Sequence, residues 1–201
     1  MTLAVLISGS GTTLQNLIDL IEAGRLPAKI AGVISSKAEV EGLGRARRHG
    51  LASVVIEWRQ YRPDADSFSA EITRQLDAWR PDLVVMAGFI HYYAVPETWA
   101  NRVINVHPAL LPKFGGAGMY GIRVHEAVLK AGETISGCTV HYVDREYDHG
   151  PVILQRTVAI AHGESPDSLM RKVQAEERIA LPEVIRRIAL ARQPHGGWRM
   201  E

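Results

Sequence analysis

The sequence predicts an α/β protein whose mostly parallel sheet ends in an antiparallel hairpin. Over residues 1–100, short apolar runs alternate with helical patterns, which is typical of βαβ units and a parallel sheet. Two apolar runs at 136–143 and 152–159 then follow one another with only a charged turn between them, which favours a hairpin. A long helical pattern comes last. Together these observations predict a Rossmann-like single domain with a long C-terminal helix.

The first half of the chain contains the predicted parallel strands. Residues 3–7 are continuously apolar, as expected of a strand buried on both faces, and a helix over 12–23 follows that Gly24 can cap. Apolar residues at helical spacing also predict a helix over 64–79. The remaining predictions for this half are strands at 30–35, 52–56 and 83–87 and a helix over 40–49 that Gly50 closes.

The second half begins with a short β-type run at 102–104. A helix is predicted over 122–130, and the hairpin strands follow it. The last helix is predicted over 166–192, and we expect Pro182 to kink or split it because proline removes a backbone donor. The tail over 193–201 is predicted to fray. Since no repeat or linker divides the 201 residues, one large domain is expected.

Composition and charge narrow the class of protein. With 46% hydrophobic and 22% charged residues, the chain has the composition of an ordinary globular protein, and its net charge of +1 gives no reason to expect nucleic acid or a membrane surface as partner. Cys138 is the only cysteine, which excludes an intramolecular disulfide and suits a reducing cytosol. The N-terminal apolar run is too short for a signal peptide, and no run approaches a membrane span. We therefore expect a soluble, cytoplasmic protein.

The most informative stretch is Asn105-Val106-His107-Pro108-Ala109-Leu110-Leu111-Pro112. Two residues apart on a strand, Asn105 and His107 should point to the same face. Pro108 should end that strand, which places both side chains at the carboxyl edge of the sheet, where α/β proteins bind ligands. An amide donor beside a titratable imidazole can stabilise an oxyanion and move a proton. Taken alone, the motif more often consists of a core histidine and a turn asparagine, so the functional interpretation depends on the rest of the chain.

A glycine-rich turn, Ser8-Gly9-Ser10-Gly11-Thr12-Thr13, joins the first strand to the first helix. Glycines allow a ligand to approach the backbone, and the helix N-terminus offers N–H donors, so the turn predicts phosphate binding. It is no Walker A loop, because no lysine follows the glycines. It also departs from a dinucleotide fingerprint, because Leu14 occupies the place of a third glycine and the second strand ends without an acid. The alternative is a tight turn with a threonine cap.

The turn over 144–151 carries five ionisable side chains and includes Asp148, which comes directly before an apolar strand. A carboxylate near His107 would favour the imidazolium form, whereas the alternative is a solvated hairpin tip. No histidine pair has the spacing that places two metal ligands on one helical turn, so we expect no metal. Cys138 lies in an apolar run and is expected to be an inert core thiol. The basic cluster of Arg45, Arg47 and Arg48 is interpreted as the solvated face of a helix.

Taken together, these motifs resemble those of the phosphoribosylglycinamide formyltransferases (GAR transformylases), a branch of the folate-dependent formyltransferases. The stretch at 105–112, paired with Asp148-x-Gly150-Pro151, is specific for the superfamily, and the glycine turn at residue 9 with the short chain length indicates the GAR branch. The resemblance covers about residues 2–190, and the matching stretches occur in family order at 6–11, 87–89, 105–112, 137–141 and 148–155.

The resemblance implies transfer of a formyl group from the co-substrate 10-formyltetrahydrofolate to the primary amine of 5′-phosphoribosylglycinamide (GAR), a step of de novo purine biosynthesis. It implies a catalytic trio of Asn105, His107 and Asp148 and no metal. It implies that Gly11, Thr12 and Thr13 hold the substrate phosphate and that Glu177 holds the glycinamide end. The implied folate contacts are Ile90, His91, Tyr92, Tyr93, Asn105, Asp144, Tyr147 and Asp148.

The same resemblance implies a single formyltransferase domain over 1–201. Its phosphate-binding half would cover 1–100, its catalytic and folate-binding half 101–192, and its tail 193–201. Small molecules would be the only partners of a monomer or homodimer, without nucleic acid or membrane. The alternatives are a formyltetrahydrofolate deformylase, another folate-dependent formyltransferase, and a non-catalytic phosphate- or nucleotide-binding module. The last of these would place no joint demand on the catalytic trio.

Several positions depart from the family pattern. The glycine turn often reads G-N-G-S-N, but threonine hydroxyls can still donate. The segment after Phe89 carries His91-Tyr92-Tyr93 in place of an arginine and small aliphatic residues. The segment over 114–121 is unusually rich in glycine. No arginine clearly matches the one expected at the folate glutamate tail, and Arg59 and Arg62 are the nearest candidates.

Overall fold

A seven-stranded sheet lies between two layers of helices in the computed structural model, which describes residues 1–191. The strands are arranged in the order β3-β2-β1-β4-β5-β6-β7. In chain order the elements are β1 (Thr2–Ile7), α1 (Thr12–Glu22), β2 (Lys29–Ser35), α2 (Glu41–Arg48), β3 (Ser53–Val55), α3 (Ala65–Trp79), β4 (Leu83–Met86), β5 (Val103–His107), α4 (Ile122–Lys130), β6 (Ile135–Tyr142), β7 (Val152–Ala159) and α5 (Pro166–Ala191), with short 3₁₀ helices at Trp58–Gln60 and Glu97–Trp99.

Strands β1 to β5 pair in parallel, and β6 and β7 pair antiparallel to their neighbours. The chain therefore changes from crossover connections to a hairpin, as predicted. The register of the β5–β6 pair matters for the site, because Asn105 lies directly opposite His141 and His107 lies opposite Thr139. The predicted α/β class, the antiparallel hairpin and the long last helix are confirmed.

The two faces of the sheet are covered by separate hydrophobic clusters. Residues 3, 5 and 7 of β1 pack with α1, α4 and α5, whereas Ala4 and Leu6 pack on the other face with Phe68, Ile72 and Leu76 of α3. Every one of these β1 side chains is fully buried. A central strand that is covered on both faces consists of a continuous run of apolar residues. This explains why apolar and polar residues do not alternate along β1.

The ends of the elements follow the predicted signals with small differences. Gly24 and Gly50 follow α1 and α2 with left-handed φ values of 66° and 63°, which a glycine adopts without strain. The predicted bounds of α4 and β7 are met. Strand β5 ends three residues beyond the predicted run at 102–104, and the other described boundaries differ by at most one residue, as is usual where helices and strands fray.

The prediction that Pro182 splits the last helix is wrong. Helix α5 continues through it to Ala191, and Pro182 is buried in the helix interior beside Leu181 and Val184. Packing of that apolar face offsets the loss of one backbone hydrogen bond. Arg192 and the predicted frayed tail lie outside the described residues. Among the helices within residues 1–191, none has the length and apolarity needed to cross a membrane.

Candidate active site

A cleft with a volume of about 320 Å³ lies beyond the carboxyl ends of β1, β4 and β5. Strands β1 and β4 are neighbours, and the connection after β1 runs toward one edge of the sheet whereas the connection after β4 runs toward the other. Such a switch point is where open α/β sheets bind ligands. Every residue predicted for the site lines this one cleft: Gly11, Thr12, Thr13, Ile90, His91, Tyr92, Tyr93, Asn105, His107, Asp144, Tyr147, Asp148 and Glu177.

Residues 9–13, here called the glycine loop, form the cleft wall between β1 and α1. Gly11 is the N-cap of α1 with a φ of 69°, and no side chain caps the helix. The first N–H groups of α1 consequently have no partner inside the helix and can donate to an anion. The base of the loop is fixed by Ser8, whose hydroxyl lies 2.6 Å from that of Ser36 and accepts from Ile90 N–H at 3.2 Å.

Asn105 and His107 are on the same face of β5, as their spacing predicted, and Asp148 reaches them from the turn after β6. His107 Nδ1 lies 3.4 Å from Asp148 Oδ2, and Asn105 Nδ2 donates to Asp148 Oδ1 at 3.4 Å. The side chains of His107 and Asp148 are 3% and 11% exposed. An amide, an imidazole and a carboxylate thus meet at the end of one strand, largely withdrawn from water.

Asp148 is held as an anion. Its backbone is left-handed, with a φ of 54°, and Gly116 N–H donates to Oδ2 at 2.9 Å. Burial raises the pKa of this carboxyl, but hydrogen bonding with His141 and the nearby charge of His107 outweigh burial. The net pKa lies below its ordinary value, and the carboxylate can accept a proton during a reaction.

The buried His107 ring has a neighbour at each of its two nitrogens. Its Nε2 lies 2.8 Å from the Phe114 carbonyl oxygen, which can only accept, so Nε2 carries a hydrogen. Burial lowers the pKa of His107, and the Asp148 carboxylate and the Phe114 carbonyl offset this only in part. The net pKa of His107 lies below its ordinary value, so the imidazolium form is less favoured than the motif predicts.

The sequence interpretation missed His141 and the role of the segment over 114–121. His141 Nε2 lies 3.2 Å from Asn105 Nδ2 and 3.6 Å from Asp148 Oδ1, and its Nδ1 lies 2.8 Å from the Tyr142 carbonyl. It therefore orients both catalytic candidates. Its position opposite Asn105 was the available signal, because antiparallel neighbours on one face touch. The glycine-rich segment supplies two groups of the site, the Phe114 carbonyl and the Gly116 N–H.

The predicted substrate residue Glu177 lies on α5 at the side of the cleft. Its carboxylate makes no ion pair or hydrogen bond with any group in the described part of the chain. Burial raises its pKa to about 7, and the charge of Arg178 lowers it slightly. A carboxyl group that is ready to change its charge near neutral pH and faces a cleft is typical of a ligand-binding position.

The aromatic segment at 91–93 contributes unequally to the wall. His91 stacks on Trp58 with ring centroids 5.4 Å apart, and the Tyr92 hydroxyl donates to the Arg145 carbonyl at 2.7 Å. Tyr92 also packs against Tyr147, with centroids 5.2 Å apart. Tyr93 is different, because its side chain is only 1% exposed. The ring of Tyr93 is packed in the core, so the residue is placed to support the wall.

The other reactive residues have these environments. Asp144 braces its own turn, accepting from Glu146 N–H at 2.8 Å and lying 3.1 Å from His149. Cys138 is buried, and burial raises the pKa of its thiol to about 12, as expected of an inert core thiol. Within residues 1–191, His, Cys, Asp and Glu side chains form no group of three or more suited to a metal ion. That the reaction needs no metal stays a prediction.

The interpretation of the basic cluster on α2 is wrong for one of its members. Arg47 and Arg48 are exposed, but Arg45 donates from Nε to the Ser10 carbonyl at 2.9 Å and is attached to the glycine loop. Position along a helix does not show which arginine meets a loop from another part of the chain, so the pattern could not separate the three.

Comparison with known proteins identifies the class to which this sheet and cleft belong. The formyl transferase family matches residues 1–185, and the chain belongs to this family. Within the family, several similar relatives bear the name of the GAR branch. Phosphoribosylglycinamide formyltransferase of Escherichia coli K12 is 36% identical over 187 residues, which are 92% of this chain and 85% of that protein. The predicted resemblance is thereby confirmed.

Two further comparisons agree. The crystal structure of glycinamide ribonucleotide transformylase 1 from Symbiobacterium toebii superimposes with a TM-score of 0.87 and 39% identity, over 96% of this chain and 89% of that one. The trifunctional purine biosynthetic protein adenosine-3 of Drosophila pseudoobscura pseudoobscura is 42% identical over 190 residues, 92% of this chain. The chain spans only 14% of that trifunctional relative.

Proposed function

We propose that the chain transfers the formyl group of 10-formyltetrahydrofolate to the primary amine of GAR in purine biosynthesis. The observation that carries the proposal is the meeting of Asn105, His107 and Asp148 in the cleft that also contains the glycine loop. A phosphate-binding module would need the loop alone. The family of the chain and the name shared by its similar relatives support the choice of formyl transfer and of GAR.

GAR would bind between α1 and α5. Its phosphate would accept hydrogen bonds from the N–H groups of Gly11, Thr12 and Thr13 at the uncapped start of α1. Its glycinamide end would contact Glu177, whose carboxylate is otherwise without a charged partner in the described region. The folate pterin would lie against residues 90–93 and the turn over 144–148. The buried ring of Tyr93 would support this wall of the cleft from the core side. Opposite walls of one cleft would thus hold the two substrates.

The proposed roles of Asn105 and His107 follow from the atom on which negative charge develops during formyl transfer. When the GAR amine attacks the formyl carbon, negative charge builds on the formyl oxygen. Asn105 Nδ2–H can donate to that oxygen. A protonated His107 can donate as well, through Nδ1–H, because its Nε2–H is held by the Phe114 carbonyl. The Asn105 amide is shared between His141 and Asp148 at 3.2 and 3.4 Å, long contacts that an oxyanion can replace.

Asp148 would transfer a proton from the attacking GAR amine to folate N10. The new bond joins the GAR nitrogen to the formyl carbon, and the bond from that carbon to folate N10 breaks. The attacking nitrogen must lose one proton and N10 must gain one. The Asp148 carboxylate, held ionised by its surroundings, can accept the first and return it through water, and the ring of His107 lies 3.4 Å away. The atoms balance without a covalent enzyme intermediate.

The proposal is tested by following folate absorbance with 10-formyltetrahydrofolate, with and without GAR, for the wild type and His107→Ala. The exposed His162→Ala serves as a control for loss of an imidazole outside the cleft. We expect turnover that requires GAR, collapses in His107→Ala and persists in His162→Ala. Turnover without GAR would indicate a deformylase, and GAR binding without any turnover would indicate a binding module.

A further inference from the structure

Arg45 of α2 is attached to the glycine loop from behind. Its Nε–H donates to the Ser10 carbonyl at 2.9 Å, and its terminal nitrogens reach Glu41 at 2.6 Å and Gln15 at 3.4 Å. Its side chain is only 18% exposed. Because these partners belong to the loop, to α2 and to α1, the guanidinium is fixed at the point where the three segments meet.

The backbone of α2 makes a second attachment to the same loop. Gly42 N–H donates to the Gly9 carbonyl at 3.2 Å. The two segments approach so closely that a Cβ on Gly11 would lie 2.6 Å from Gly42 Cα, and a Cβ on Gly42 would lie 2.5 Å from Ile7 Cδ1. Neither glycine has room for a side chain, so the start of α2 and the loop pack as one unit.

These attachments set the direction of two peptide groups. In a trans peptide the C=O and the N–H point in opposite directions. Since Arg45 and Gly42 draw the carbonyls of Ser10 and Gly9 toward α2, the N–H groups of Gly11 and Ser10 in the same peptide units point away from α2. The loop lines the cleft, whereas none of the α2 residues does. The amides are therefore turned to the side from which an anion would approach.

We propose that Arg45, with Gly42, is a positioning residue for the substrate phosphate: it fixes the Ser10–Gly11 peptide so that the amides of the glycine loop face the phosphate. This inference rests on the proposed function, because it concerns the phosphate of the same ribonucleotide. The contact is indirect, since Arg45 touches the loop and not the cleft. We therefore expect a substitution of Arg45 to impair activity only toward substrates that carry the phosphate.

Arg45→Gln tests the inference, and Arg47→Gln, on the same helix but exposed, is the matched control for loss of one positive charge. Each variant is assayed with GAR and with the ribonucleoside that lacks the 5′-phosphate. Loss of a hydrogen bond from a charged group predicts a fall in kcat/KM for GAR of about 10- to 100-fold in Arg45→Gln, mainly through KM. For the ribonucleoside we expect a change of less than about threefold, because the missing phosphate removes the interaction that is being positioned.

Inhibition by inorganic phosphate gives an independent measurement, and it should weaken in Arg45→Gln by a similar factor. Thermal unfolding establishes that each variant is folded. If Arg45→Gln does not fold, Arg45→Lys is assayed in its place. Lysine keeps the charge but cannot hold Ser10, Gln15 and Glu41 together. Equal losses on GAR and on the ribonucleoside, or no loss on either, would overturn the inference.

Failure of the proposed function gives a different result. In that case the wild type shows no turnover dependent on GAR, and the variants are compared by calorimetric titration with inorganic phosphate. Weaker phosphate binding in Arg45→Gln than in Arg47→Gln would still support the positioning role. Equal binding would refute it.

Discussion

Replacing Glu177 with glutamine should make the protein more stable at alkaline pH, although the residue is proposed to bind the substrate. The carboxyl of Glu177 keeps its proton in the folded chain up to a pH of about 7, whereas its ordinary pKa is 4.5. The folded state therefore binds more protons than the unfolded state over this range. By linkage, stability is highest at acid pH and is lost as the pH rises through the folded pKa. Glutamine imitates the neutral acid and removes the loss.

The structure sets the size of the effect. A rise from 4.5 to about 7 corresponds, at about 1.4 kcal/mol per pH unit, to about 3.5 kcal/mol at most. Water in the cleft screens the half-buried carboxylate, so we expect a difference of about 1–2 kcal/mol. Glu177→Gln should thus exceed the wild type in free energy of unfolding by this amount at pH 8, and by much less at pH 5, where only a small part of the difference has developed.

Urea unfolding at pH 5, 6, 7 and 8 measures the difference, with Glu126→Gln as an exposed control on α4. The control should differ from the wild type by the same small amount at every pH. In the same variants, the KM for GAR should rise in Glu177→Gln and stay constant in Glu126→Gln. A stability difference between wild type and Glu177→Gln that does not change with pH would refute the reasoning, because it would show that Glu177 titrates normally.

Three further substitutions, two of them paired with a control substitution, test the site and its support. Asp148→Asn keeps the shape of the side chain but cannot accept a proton, so kcat should fall by about 10²- to 10⁴-fold in steady-state assays while the melting temperature changes little. Gly150→Ala should destabilise the turn by about 2–4 kcal/mol in urea unfolding, because a Cβ would lie 2.0 Å from the Tyr142 carbonyl oxygen. In contrast, Gly44→Ala in α2 should raise the free energy of unfolding by up to about 1 kcal/mol. A destabilisation equal to that of Gly150→Ala would contradict the steric argument. Thr139→Val leaves buried polar groups unpaired and should cost about 2–3 kcal/mol in the same experiment, whereas Thr139→Ser should cost much less.

Much of the fold followed from local patterns. The continuous apolar run of β1 and the charged turn between two apolar strands sufficed to predict a parallel sheet with a hairpin, because burial on both faces and tight turns leave direct marks in sequence. Asn105 and His107 were assigned to one face because a strand repeats every two residues. Their catalytic roles, and those of the other site residues, stay predictions that the experiments above address.

The missed features depend on contacts between distant segments. His141 orients Asn105 because β5 and β6 pair in one register, which no stretch of either strand reveals alone. Arg45 looked like its exposed neighbours because helix spacing does not show that the glycine loop packs against it. Tyr93 was grouped with Tyr92, since an irregular segment has no periodicity to show which ring turns into the core.

The most direct test of the central claim is the fate of the formyl carbon. The wild type is given GAR and 10-formyltetrahydrofolate labelled with ¹³C in the formyl group, and the products are identified by NMR. The account predicts that the label appears in the formamide of formylated GAR, one equivalent for each tetrahydrofolate released. Label released as formate, at a rate that does not depend on GAR, would contradict it.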